Sequence, residues 1–208
     1  MLNDSNNRPL FREFSVTPLE IGFEDGSRLA VDVGSEYERL DEDFEISDGV
    51  VLPAGTSYEF TRYGFMASTA DYRMVSVGSE VSLGRFFSGH RREFGAEVGM
   101  RPRRGVALTL EAERNILDLA EGSFSTDVFR ARADTQFSPW ISVANNLQDH
   151  SVSRLLGWQM RFRWIRRPGN DLYFVYTHNW REVVGLGERH LATLDNRLAT
   201  KLVYTLRF

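Results

Sequence analysis

The 208-residue chain carries 25 Lys and Arg against 29 Asp and Glu, a formal net charge of −4, with 42% hydrophobic and 12% aromatic residues. That balance supplies no basic face of the kind nucleic acid demands, and the absence of cysteine excludes disulfides and thiolate metal sites. No stretch approaches the roughly 18 uninterrupted apolar residues of a membrane helix, a test that a β-barrel escapes because every second residue of its strands faces a polar lumen.

The opening residues, Met1-Leu-Asn-Asp-Ser-Asn-Asn-Arg-Pro9, lack a basic segment followed by an apolar one and do not form a secretory signal. Residues 1–9 are expected to be disordered or the remnant of an upstream segment. Beyond them, turn-forming clusters recur at Glu24–Ser27, Ser88–His90, Arg101–Gly105, Glu121–Ser123, Ser138-Pro139 and Arg167–Asp171, each between stretches rich in β-formers. About eleven strands are predicted, over 10–22, 28–39, 56–68, 72–87, 90–101, 105–117, 123–137, 140–148, 152–166, 171–182 and 196–208. Most run to about 11–15 residues, where globular strands centre on about 5–6 and a tilted bilayer span takes about 9–11. Segments 41–55 and 183–195 are left as long loops.

Within these strands apolar and polar residues alternate, so one face of each is apolar. Val75, Val77, Val81 and Leu83 oppose Ser76, Gly78, Glu80 and Ser82; Phe94, Ala96, Val98 and Met100 oppose Glu93, Gly95, Glu97 and Gly99. Val106, Leu108, Leu110 and Ala112 oppose Thr109, Glu111 and Glu113. The fullest row is Leu156, Trp158, Met160, Phe162 and Trp164, against Gly157, Gln159, Arg161 and Arg163. A soluble edge strand would not expose such a row, which makes these five residues candidates to face lipid.

The final segment, Lys201-Leu-Val-Tyr-Thr-Leu-Arg-Phe208, alternates throughout, with Leu202, Tyr204, Leu206 and Phe208 on one face. A last strand of this pattern closing on a terminal Phe resembles the insertion signal of bacterial outer-membrane β-barrels. If Phe208 is periplasmic, an antiparallel meander puts Glu24–Ser27, Thr69–Asp71, Arg101–Gly105, Ser138-Pro139 and Arg167–Asp171 on the periplasmic side, and the opposite connections include the two longest, 41–55 and 183–195, in keeping with long loops outside and tight turns inside. The expected fold is therefore all-β: an antiparallel up-and-down meander forming a transmembrane β-barrel in the bacterial outer membrane. Complete single-chain barrels have an even strand number, so an odd count and the missing signal suggest the C-terminal part of a larger barrel, either a fragment or a truncated gene model. Such a fragment is expected to leave an open sheet.

Three separated motifs in order add a family resemblance: Phe44-Glu-Ile-Ser-Asp-Gly-Val-Val-Leu-Pro-Ala-Gly-Thr-Ser-Tyr58-Glu-Phe60, Gly84-Arg-Phe-Phe-Ser-Gly89, and Phe162-Arg-Trp-Ile-Arg-Arg-Pro-Gly-Asn-Asp-Leu-Tyr-Phe-Val-Tyr176. Over about residues 40–208 the chain resembles the C-terminal barrel region of large bacterial outer-membrane proteins of unassigned function. The resemblance implies an upstream domain similar to carbohydrate-binding module family nine, through which a polysaccharide or oligosaccharide partner, or any hydrolase activity, would enter. It also implies outer-membrane lipid as a partner, and the barrel-assembly machinery engaged through the C-terminal strand.

Candidate lumen-lining residues are Glu80, Glu93, Glu97, Glu111 and Glu113, with Arg130, Arg132, Arg161 and Arg163 farther along. Acidic and basic walls facing each other would select ions or polar solutes; the alternative is a lumen filled by mutually satisfied ion pairs. His90, His150, His178 and His190 form no short metal-ligand pattern. Ser88-Gly-His90 and Asp149-His150 are chance pairings until geometry unites them. No cofactor loop, metal site or catalytic constellation is predicted. Phe86, Phe87, Phe137, Trp140, Trp164, Tyr173, Trp180 and Phe208 fall near strand ends and suggest interfacial aromatic belts, while Arg101–Arg104 reads as a solvated turn. The competing function is a soluble β-sandwich binding carbohydrate or another ligand, which would need a second sheet to cover the row from Leu156 to Trp164.

Overall fold

The structure, a computed structural model, describes residues 2–3, 8–185 and 188–205. In chain order the strands are β1 (Leu2–Asn3), β2 (Pro9–Gly22), β3 (Arg28–Arg39), β4 (Phe44–Ser47), β5 (Val50–Leu52), β6 (Ser57–Ser68), β7 (Val75–Phe86), β8 (Gly89–Arg103), β9 (Val106–Leu119), β10 (Gly122–Ser138), β11 (Ile141–His150), β12 (Leu155–Arg167), β13 (Asn170–Gly185) and β14 (Glu188–Val203). Eleven of them, β2, β3 and β6–β14, are long; ten stand within a few residues of the predicted positions, and β14 overlaps the predicted last strand only over 196–203. They form one antiparallel up-and-down sheet, in the order β1-β2-β3-β6-β7-β8-β9-β10-β11-β12-β13-β14, beside the separate hairpin β4-β5. No helix among the described residues is long and apolar enough to cross a membrane.

Contacts divide the chain into two compact units. The first comprises Met1–Ala70, Val77–Ala96 and Glu113–Thr126, the second Asp71–Ser76, Glu97–Ala112 and Asp127–Phe208.

In the first unit, ladder register sorts side chains by face. Val31 pairs with Phe65 and Val33 with Tyr63, and these continue to Val81 and Leu83; on the other face Glu36 pairs with Phe60, Arg62 with Gly84 and Met66 with Glu80. The apolar face is left open, with Phe14 66% and Phe65 49% exposed. The buried core lies on the opposite, polar face. There the segment 41–55, predicted as a loop, holds a folded hairpin: Leu40 and Thr56 close its base, and Leu40, Val50, Leu52, Tyr58, Phe60 and Leu119 form a cluster joined by Ile46, Phe86, Phe87 and Phe124. Leu52 is fully buried and Phe60 is 2% exposed. Phe87 sits at φ 45, unusual for a bulky residue. Its ring lies 5.2 Å from Tyr58 and 5.5 Å from Phe60.

In the second unit, Ile141, Val143 and Leu147 pair with Trp164, Phe162 and Trp158, which in turn pair with Leu172, Phe174 and His178. Aromatic neighbours meet across the ladder, Trp158 with Tyr176 at 5.6 Å and Phe162 with Phe174 at 6.1 Å. Offset and edge contacts of this kind stiffen a sheet face without covering it, and Trp164 remains 42% exposed.

Three expectations are corrected. Of the predicted loop 183–195, residues 183–185 and 188–195 are strand: β13 runs to Gly185 and β14 begins at Glu188. A bulge between Asn179 and Trp180 shifts the register there, so the hairpin keeps its backbone hydrogen bonds while the side-chain alternation loses phase. The last strand ends at Val203, opposite Asp171 near the start of β13. Beyond it Thr205 bonds the turn instead, its N–H donating to Asn170 Oδ1 and its hydroxyl to the Gly169 carbonyl, each at 2.9 Å. Leu206 and Phe208 lie outside the described residues. Lastly, Leu2–Asn3 is not free but pairs with Phe11 and Pro9.

Candidate functional site: the polar face

The first unit concentrates acid on its polar face. A cavity of about 290 Å³ is lined by Glu13, Asp32, Glu36, Glu80 and Glu93, with Arg62 as its one basic residue. Gly95 leaves room beside Glu80, since a side chain there would begin 3.6 Å from the Glu80 Cβ. Arg62 pairs with Glu36, and Arg91 pairs with Glu93 at 2.7 Å. Arg91 also donates to Asn115 Oδ1 through Nε at 2.9 Å and Nη2 at 2.7 Å, while Asn115 Nδ2 donates to Glu113 at 2.9 Å. Both guanidiniums lie over the Phe86 ring, at 6.0 and 5.4 Å from its centroid. This cation–aromatic stack ties the charged cluster to the hairpin core.

The second unit concentrates base on its polar face. Arg130 and Arg132 on β10 converge on the Glu111 carboxylate, the Arg130 contact spanning 3.4 Å. Arg163 pairs with Asp171 at 2.8 Å and covers the Tyr173 ring at 5.4 Å, and the Tyr173 hydroxyl donates to the same carboxylate at 3.2 Å. Arg101, Arg103, Arg104, Arg161 and Arg163 line one cavity of about 710 Å³. A second cavity of about 330 Å³ is lined by Asn146, Gln148, Gln159, Thr177 and Asn179 among others, with no Asp, Glu, Lys or Arg in its wall.

All nine predicted lining residues therefore stand on the polar face of their own strands, but they do not behave alike. Glu93, Glu111, Arg130, Arg132 and Arg163 are in ion pairs and Glu113 accepts a hydrogen bond; Glu80, Glu97 and Arg161 make no ion pair among the described residues. Protein-family models, curated proteins and solved structures were searched, and none matches the chain.

The five candidates from Leu156 to Trp164 occupy the opposite, apolar face, as do Leu202 on β14 and its partner Leu172. Leu202 is 72% exposed, and Tyr204 is also exposed.

Aromatic placement departs from the belt expected at strand ends. Phe86 and Phe87 are enclosed by the hairpin cluster, and Tyr173 faces the polar side under Arg163. Phe137, Trp140 and Trp164 do stand exposed near strand ends, whereas Trp180 stacks on His178 at 4.0 Å.

The histidine pairings do not assemble. Asp149 faces Leu156 while His150 faces Leu155, so the two point to opposite faces of β11. Ser88 donates its hydroxyl to Glu121 and caps the Ala120 N–H at 3.2 Å, a turn-closing role. No group of three or more His, Asp or Glu side chains among the described residues is arranged to hold a metal. What sequence reasoning missed is the hairpin over 44–52 and the joining of the 101–104 turn to Arg161 and Arg163. The hairpin left one local signal, Val50 and Leu52 alternating with Val51, and the gathering of the arginines left none.

Proposed function

We propose that the chain is the membrane-embedded sheet of a bacterial outer-membrane β-barrel, a pore or translocation domain or the anchor of an upstream module, with the apolar face toward lipid and the polar face toward water. The observation that carries this is the open apolar face. In the first unit Phe14, Val16, Leu19, Ile21, Tyr63 and Phe65 are exposed, and in the second Leu110, Phe129, Trp164, Phe174, Leu198 and Leu202 are. A soluble monomer rarely leaves apolar patches beyond a few hundred Å². The sandwich alternative needs a second sheet on this face, and the only other sheet among the described residues is the short hairpin β4-β5, which packs on the polar side.

Strand lengths fit the reading. The long strands have 10 to 17 residues, against the about 9–11 that a transmembrane β-strand tilted near 45° takes. The hairpin over 40–56 would then fold inward at one mouth and narrow it. A carbohydrate-binding upstream domain and docking of the last strand on the assembly machinery extend the proposal through the family resemblance.

The test is fractionation of the native protein, followed by gel mobility of the detergent-folded sample before and after boiling. Outer-membrane recovery with a heat-dependent shift is the expected result. A soluble protein with no shift refutes the reading.

A further inference from the structure

Several polar-face arginines of this protein are paired with acid, as with Arg62 and Glu36, Arg91 and Glu93, and Arg130 and Arg132 with Glu111. The cavity of about 710 Å³ in the second unit breaks that pattern, with five guanidiniums against the single lining carboxylate of Asp134. Arg101, Arg103, Arg104 and Arg161 make no ion pair among the described residues. Arg163 has its carboxylate partner, yet its Nε–H is buried without any acceptor. Like charges gathered in one concavity repel, and a buried donor left unpaired costs free energy. A ligand with several anionic oxygens removes both penalties together.

The register explains how the cavity arises. On the polar face Ser142 pairs with Gln136 and Arg163, and Ala144 with Asp134 and Arg161. The small side chains of β11 thus form a low floor between longer neighbours. The turn at Gly105, φ +77, brings Arg103 and Arg104 to the rim. Guanidinium forks suit planar, bidentate capture of carboxylate or phosphate oxygens.

We infer that this cavity is a binding site for a free, water-borne multivalent anion carrying phosphate or carboxylate groups. This deepens the proposed reading by naming what the polar face admits. Its test reads binding rather than permeation or membrane residence, so either idea can fail alone.

The experiment is isothermal titration of the folded full chain with sodium pyrophosphate at constant ionic strength, with sodium chloride and dihexanoyl-phosphatidic acid as parallel titrants. The folded chain is held in detergent if it fractionates with membrane and in buffer if it does not. Saturable binding of one pyrophosphate is expected, weakened roughly tenfold by Arg101→Gln or Arg161→Gln, the loss of one charge-assisted contact. Arg161→Lys, which keeps charge but loses the fork, falls between. Arg197→Gln, on the same face beside Thr177 and outside the cavity, leaves binding unchanged. Weak, non-saturable heats, or equal weakening by Arg197→Gln, would overturn the inference. Tighter binding of dihexanoyl-phosphatidic acid than of pyrophosphate would overturn it in favour of a lipid headgroup.

Discussion

An arginine scan along β12 puts the assignment of faces at risk. Met160 pairs with Asn145 and Tyr176 on the apolar face, and its neighbour Gln159 pairs with Asn146 and Thr177 on the polar face. A strand rising about 3.3 Å per residue and tilted by about 40° descends roughly 2.5 Å per residue, so two-residue steps along a row move about 5 Å in depth. The row Leu156, Trp158, Met160, Phe162 and Trp164 then spans about 20 Å of an apolar band about 25 Å tall, with Met160 near its centre. Met160→Arg should cost about 2–4 kcal/mol, Leu156→Arg and Trp164→Arg only about 0–1. Gln159→Arg should fall within about 0.5 kcal/mol, as an arginine added to a polar, wet face. The assay is denaturant titration of refolding into phospholipid vesicles, read by heat-dependent gel mobility. A flat profile along the row, or a Gln159→Arg cost equal to that of Met160→Arg, would refute the lipid-facing reading.

Leu52→Ala removes a fully buried side chain from the hairpin cluster; up to about 2–5 kcal/mol of docking should be lost, seen as faster amide exchange over 44–52 with the ladders of β12 and β13 unchanged. Gly105→Ala forces a side chain into φ +77 with its Cβ 2.4 Å from the Gln136 carbonyl oxygen; destabilisation of about 1–3 kcal/mol is expected in denaturant melts, and a neutral result would show that the turn relaxes. Glu111→Gln strips the partner of Arg130 and Arg132, whose side chains are 39% and 51% exposed; screening holds the stability cost to about 0–1 kcal/mol, and if the polar face lines a pore, single-channel reversal potentials should move toward anion preference.

The all-β meander was legible in the residues because it rests on a local property. Side chains alternate faces with a period of two whatever the strand pairs with, so Leu156 to Trp164 declare an apolar face by themselves. Turn residues at Glu24–Ser27 and Arg167–Asp171 declare where the chain reverses. The same local character sets the limit. Residues 183–185 and 188–195 belong to a hairpin held by backbone hydrogen bonds across a bulge, and those bonds do not depend on a hydrophobic pattern.

Long-range placement had no sequence signal of its own. Phe86, Phe87 and Tyr58 lie far from Leu40 and Leu119 in the chain, and only the hairpin fold brings them into one cluster on the polar side. The alternation assigned Glu111 and the arginines to polar positions. Cross-strand register then decided which were neutralised: Arg130 and Arg132 reach Glu111, while Arg161 gathers with the turn at Arg101–Gly105 around open space. The sequence by itself thus determined the class of fold and the polarity of each strand's two faces. Which charges pair, which stand free and where the hairpin over 44–52 packs were decided by tertiary structure, because each depends on distances between residues that the chain order leaves unconstrained.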